Sequence, residues 1–274
     1  MSERIKEEDE HFCLTALFDR RIAVANVILS LLICVKSLIN EACAEELSDA
    51  PASVDLIEQN VRKFKTAVLE DMNKFVSDGA MRAKIHEAFD VFESNASNSS
   101  HASCNTTEIP AGGQQGFGYE IVPLDVYARF NGKFRCLKLD REFNPRDPAH
   151  FTLLLHEGRH VVQDDGYRQH IPWAQYEIFY SSGPVIVPED EADAWAVQCE
   201  VMNVIMKGSL KKNILKKREV NIPTSNKVAA KLLLQVAKAY YRLGRQDFVK
   251  FIQEFYKNEI PDIKVCSGDL RCEF

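Results

Sequence analysis

Apolar side chains recur every three to four residues over residues 20–46, 53–77 and 80–92, with breaks at Ser48-Asp49-Ala50-Pro51 and Asp78-Gly79. That period predicts three successive helices. The second carries Leu56, Val61, Phe64, Val68, Leu69, Met72 and Phe75 among charged residues, as a helix with one face on a core should. Residues 95–116 change character, being rich in Ser, Asn, Thr and Gly, and read as a flexible polar loop. Beyond it, residues 119–124, 126–130 and 134–139 read as short strands, with Asn131-Gly132 as a hairpin signal. Helical spacing returns at 148–163, 189–206, 226–243 and 246–257. The chain thus divides into an amino-terminal helical region (1–94), the loop (95–116) and a second region (117–274). The predicted class is α+β, mostly helical, with a small antiparallel sheet packed on the helix that opens at Pro148.

Composition narrows the partners. The 274 residues are 46% hydrophobic, ample for a sizeable core. A net charge of −6, from 40 acidic and 34 basic residues, gives no broad cationic field, so neither nucleic acid nor an anionic membrane is expected as a partner. The local exception, Lys207, Lys211, Lys212, Lys216, Lys217 and Arg218, reads as a solvated connection. Residues 22–35 are strongly apolar but hold Asn26 and Ser30 and stop at Lys36, short of the roughly 20 residues that span a bilayer. A buried helix is expected there, with no integral membrane segment. The charged, acidic start of the chain is unlike an export leader, so a cytoplasmic location is expected. Eight cysteines without a C-x-x-C pair fit reduced thiols, although Cys266 and Cys272 are placed to pair under oxidising conditions. Sequons at Asn95, Asn98 and Asn105 read as part of the polar loop.

The candidate chemistry lies in His156-Glu157-Gly158-Arg159-His160. Asp147 can cap the helix that carries it, Pro148 suits its first position, and Phe151, Leu154, Leu155 and Val162 supply its apolar stripe. Residues four apart share a helix face, so His156 and His160 can aim their imidazoles at one point, a metal site. Glu157 would sit beside the metal, where its carboxylate can take a proton from water. Gly158 costs a helix about 1 kcal/mol relative to Ala and implies a close approach by backbone or substrate. Zinc hydrolases take three protein ligands, and a second helix, opened by Pro188, offers carboxylates. Glu189 and Asp193 share a face, so Glu189 is taken as the third ligand and Asp193 as the carboxylate that orients a ligating histidine. Glu191, about 200° round the helix from Glu189, belongs to an equally readable Glu-Ala-Asp and is the alternative.

Together the two segments resemble the gluzincin metallopeptidases, whose pattern is HExxH followed by a separate helix carrying E-x-x-A-D or E-x-x-x-D. Here the matching letters are His156, Glu157 and His160, then Glu189, Ala192 and Asp193. The resemblance implies a zincin-like fold, a zinc ion on His156, His160 and Glu189, Glu157 as general base, and a peptide or protein substrate. A metzincin would need glycine at 163 and histidine at 166, where this chain has Gln163 and Gly166. His170, Tyr167, Tyr176 and Tyr180 could line a cleft and donate to an oxyanion, or serve as ordinary loop and packing residues. The same letters admit two other readings. One is a helical interaction protein with an inert or structural metal site; the other is a leaderless effector or toxin that cleaves a host protein.

Overall fold

A computed structural model of the chain describes residues 54–97, 104, 117–124, 126–181, 184–260 and 262–272. The helix expected at 20–46, with its apolar stretch at 22–35, lies outside the described residues, as do Asn98, Asn105 and most of the polar loop. Helix α1 (Val54–Phe75) forms where the periodicity placed it, and helix α2 (Gly79–Ser97) runs past its predicted end at residue 92 into the start of the predicted loop. Ile57, Val61, Val68, Phe89 and Phe92 pack into one core with Phe117, Leu137, Leu139, Phe151 and Leu154, and the Phe64 and Phe151 rings stack at 4.2 Å.

Strands β1 (Gly118–Ile121), β2 (Ala128–Asn131) and β3 (Cys136–Leu139) make a sheet in the order β1-β3-β2. The β2–β3 pair is antiparallel, with Asn131 opposite Cys136, whereas β1 runs parallel to β3. The sheet is therefore mixed, not antiparallel throughout as its short strands suggested. The segment after β1 crosses over before β2 begins, held by Asp140: its Oδ2 accepts from Leu124 N at 2.8 Å and its own N–H donates to Tyr127 O at 2.9 Å. The hairpin signal is correct, but the turn takes four residues, with Arg135 at φ 43° and Phe134 in the turn rather than on the strand. Gly132 is required there by space. A Cβ at that position would lie 2.1 Å from Tyr180 Oη and 2.5 Å from Asp164 Oδ1.

Helix α3 (Pro148–His170) carries the motif. Asp147 caps it by accepting from Ala149 N, as expected, and also accepts from Thr224 and Ser225. The helix runs seven residues past the predicted end and is followed by α4 (Trp173–Ser181) within the aromatic stretch. Strand β4 (Val185–Ile186) then pairs in parallel with β5 (Lys264–Val265) near the carboxyl end. Helix α5 (Pro188–Ile205) is buried nearly all round from Ala194 to Val204, as the central helix of a core must be. The basic run yields a short helix, α6 (Ser209–Leu215), before α7 (Lys227–Arg242) and α8 (Arg245–Glu259). Lys207 in that run pairs with Asp71. A second core joins Ala149, Ala192, Trp195 and Cys199 to Leu233, Val236, Phe248 and Ile252, so α3 and α5 separate one core from the other.

The expectation of reduced thiols is corrected for four cysteines. Cys104–Cys136 and Cys266–Cys272 are disulfides, while Cys199 stays free and buried. Scattered spacing hid the first pair because its two cysteines are 32 apart in sequence. Among the described residues no helix is long and apolar enough to cross a membrane.

Candidate metal centre

The site forms where α3 and the first turn of α5 meet. His156 and His160 present their Nε2 atoms to each other at 3.1 Å. Glu191 closes the triangle, with Oε2 at 3.6 Å from His156 Nε2 and Oε1 at 3.5 Å from His160 Nε2. The carboxylate that joins the two histidines is thus Glu191, and the assignment to Glu189 is corrected. Glu189 and Asp193 do share a helix face, but that face does not meet the histidines. Glu189 is exposed, and Asp193 accepts from Lys84 on α2 and from Arg159 Nε at 2.9 Å. Asp193 ties helices together and orients no histidine. Four residues beyond Glu191 stands Trp195, whose ring meets the His156 ring edge-on at 4.9 Å. The buried Nδ1 of His156 accordingly has no hydrogen-bond partner among the described residues. That tryptophan was the available signal, since a large apolar residue one turn after a carboxylate marks the face turned inward.

These atoms lie close enough to share one cation. Bonds of 2.0–2.1 Å in tetrahedral geometry set neighbouring ligand atoms about 3.3 Å apart; the two Nε2 atoms are 3.1 Å apart, and each has a different Glu191 oxygen near it, at 3.5 and 3.6 Å. His156, His160 and Glu191 can therefore hold a metal ion. A second group, Cys104, Glu120 and Cys136, also lies close together, but its two sulfurs are bonded to each other. Without a metal the charges settle among themselves. Burial opposes protonation of His160, yet Glu191 outweighs it and raises the imidazole to about 10. Burial would raise Glu191, and the two histidines hold it well below the usual carboxylate range instead.

Glu157 is buried beside this group and is not among its donors. Its Oε2 accepts from Phe130 N at 2.7 Å, an N–H on edge strand β2 that points away from β3. Burial pushes the Glu157 carboxyl up, against the pull of both histidines and of that N–H. Gly158 meets the close approach expected of it: a Cβ there would lie 2.7 Å from the Phe92 ring and 2.9 Å from Ala88 O. The close approach is made by α2.

Two residues of the site were not expected. Tyr256 on α8 donates to Glu191 Oε2 at 2.6 Å and accepts from Trp195 Nε1 at 3.3 Å, and nothing in the sequence places it near residue 191. Gln163 meets His160 Nδ1 at 2.8 Å. The other aromatic candidates lie elsewhere: Tyr176 and Tyr180 donate to Asp164 Oδ1 at 2.6 and 2.9 Å, Tyr167 donates to Asp190, and His170 is exposed at the helix end. Their partner Asp164 also binds Arg135 and Arg168 in a buried ion-pair group that fastens the β2–β3 turn to α3.

No family model, curated protein or solved structure matches this chain.

Proposed function

We propose that the protein is a zinc-dependent metallopeptidase of zincin-like build, with zinc on His156, His160 and Glu191 and Glu157 as general base. The observation that carries the proposal is the convergence of two imidazoles and a carboxylate close enough to share one ion, with a second carboxylate, Glu157, buried beside them and outside the donor set. Bound there, zinc supplies the Lewis acidity that makes water acidic enough to lose a proton near neutral pH. Glu157 takes that proton and passes it to the departing amine. Tyr256 holds one oxygen of Glu191 in place. Phe130 N links the base to an edge strand, and an extended peptide pairing with that edge would run past the base. This arrangement supports a peptide or protein substrate.

The two disulfides bear on where the protein works. Such bonds persist in oxidising compartments, so the four paired cysteines favour such a setting over the cytoplasm expected from sequence. A second reading draws on the same Phe130 bond: a Glu157 that merely ties the sheet to α3 would leave a structural metal site in an interaction protein.

Glu157→Gln separates the two, because the amide keeps shape and most hydrogen bonding but loses the basic carboxylate. We expect one zinc per chain in parent and variant by elemental analysis. In a proteome digest scored for new amino termini, the parent cuts and the variant has lost nearly all activity. A parent that cuts nothing with zinc bound, or a variant that cuts equally well, would overturn the peptidase reading.

A further inference from the structure

Gln163 lies one turn beyond His160 on α3 and touches two things. Its Nε2 is 3.0 Å from the backbone carbonyl of Asp190, and its Oε1 is 2.8 Å from His160 Nδ1. A carbonyl oxygen only accepts, so the amide must turn its NH2 to Asp190. The amide oxygen then faces the imidazole, where it too can only accept. Nδ1 of His160 must therefore carry a hydrogen, and any lone pair on the ring lies at Nε2, the atom aimed at His156 and Glu191. The same amide fixes the residue just before Glu191, whose side chain is gripped in turn by the Tyr167 hydroxyl. His156, by contrast, has a buried Nδ1 with no partner among the described residues, so the orienting contact on the histidine pair falls to Gln163.

We infer that Gln163 is a positioning residue of the metal centre: it fixes the His160 ring with the proton on Nδ1 and Nε2 toward the metal, and it pins the Asp190–Glu191 turn that brings the third donor. The inference rests on the proposed function only for the identity of the metal. It takes the place that a carboxylate fills where histidine ligands are oriented by acids, but with a neutral group that serves two elements at once.

The test uses the full chain labelled with 15N-histidine, with and without Zn2+, and zinc titrations against a chromophoric chelator. The parent should show an exchange-protected His160 Nδ1–H resonance in both states. Gln163→Met, similar in shape but without the amide, should lose that protection and bind zinc roughly 10–100-fold more weakly, with its far-UV circular dichroism unchanged. Gln163→Glu can still accept from Nδ1 but cannot donate to Asp190 O, so it should keep the resonance and recover only part of the affinity. Retention of both resonance and affinity in Gln163→Met would overturn the inference, as would absence of the protected resonance from the parent. Should Gln163→Met fail to fold, the parent spectrum and Gln163→Glu decide. If the parent takes up no zinc, the peptidase reading falls while the resonance in parent and variants still judges Gln163.

Discussion

At the scale of single residues, the centre depends on a carboxylate lying between two imidazoles. Glu191 is the side chain that does so, because Trp195 and Ala192 turn inward on the same stretch of α5 and Tyr256 restrains its second oxygen. Removing Glu191 deletes one of three donors, whereas removing the exposed Glu189 deletes none. Glu191→Ala should therefore lose zinc in a competition titration, and Glu189→Ala should hold it within about two-fold of the parent, since surface substitutions away from the site change little. The reverse result would return the third donor to Glu189. The sequence made the histidines and Glu157 legible because i and i+4 share a helix face whatever the fold. It pointed to Glu189 rather than Glu191, since the choice depends on which face of α5 meets α3. Packing decides that, through Trp195. Tyr256 was beyond reach, being 65 residues from its partner.

At the scale of elements, helices were legible where capping and period agreed. Asp147 and Pro148 marked the start of α3 correctly, but its end was placed early because Asp164, Asp165 and Gly166 look like a turn. Burial of Asp164 against Arg135, Arg168 and two tyrosines carries the helix onward. The parallel partner of β3 was illegible for a related reason, since strand order is set by a crossover and not by alternation. The motif helix is held against α2 at Gly158, and this gives an element-scale prediction. Gly158→Ala would gain about 1 kcal/mol of helix propensity but set a Cβ 2.9 Å from a backbone oxygen of α2. Overpacking of this kind costs about 1–3 kcal/mol, so chemical denaturation should show a net loss of stability and some loss of zinc affinity as α3 shifts. A more stable variant would mean that α2 yields easily and that the glycine has another role.

At the scale of the whole molecule, α5 joins the two cores and carries a donor at one end and an uncomfortable acid near its middle. Glu200 is buried, its Oε1 accepts from Tyr240 at 3.1 Å, and its Oε2 has no partner among the described residues. Burial raises its pKa above the ordinary 4.5, opposed by Lys211, Tyr240, Tyr241 and Asn203. In the unfolded chain the carboxyl keeps its ordinary value. As pH rises from 4.5 through the raised folded value, the unfolded state ionises first, and the folded protein loses stability relative to it. Above that window the loss is complete and constant. Glu200→Gln removes the ionisation while keeping an oxygen for the tyrosine. The variant should match the parent below about pH 4.5 and be more stable by about 1 kcal/mol at neutral pH, the scale of an unsatisfied buried polar group. Urea unfolding at a series of pH values reads this directly. A variant less stable than the parent at pH 7, or a difference that does not shrink on acidification, would show that the charge of Glu200 is wanted where it lies, favoured by the charge of Lys211.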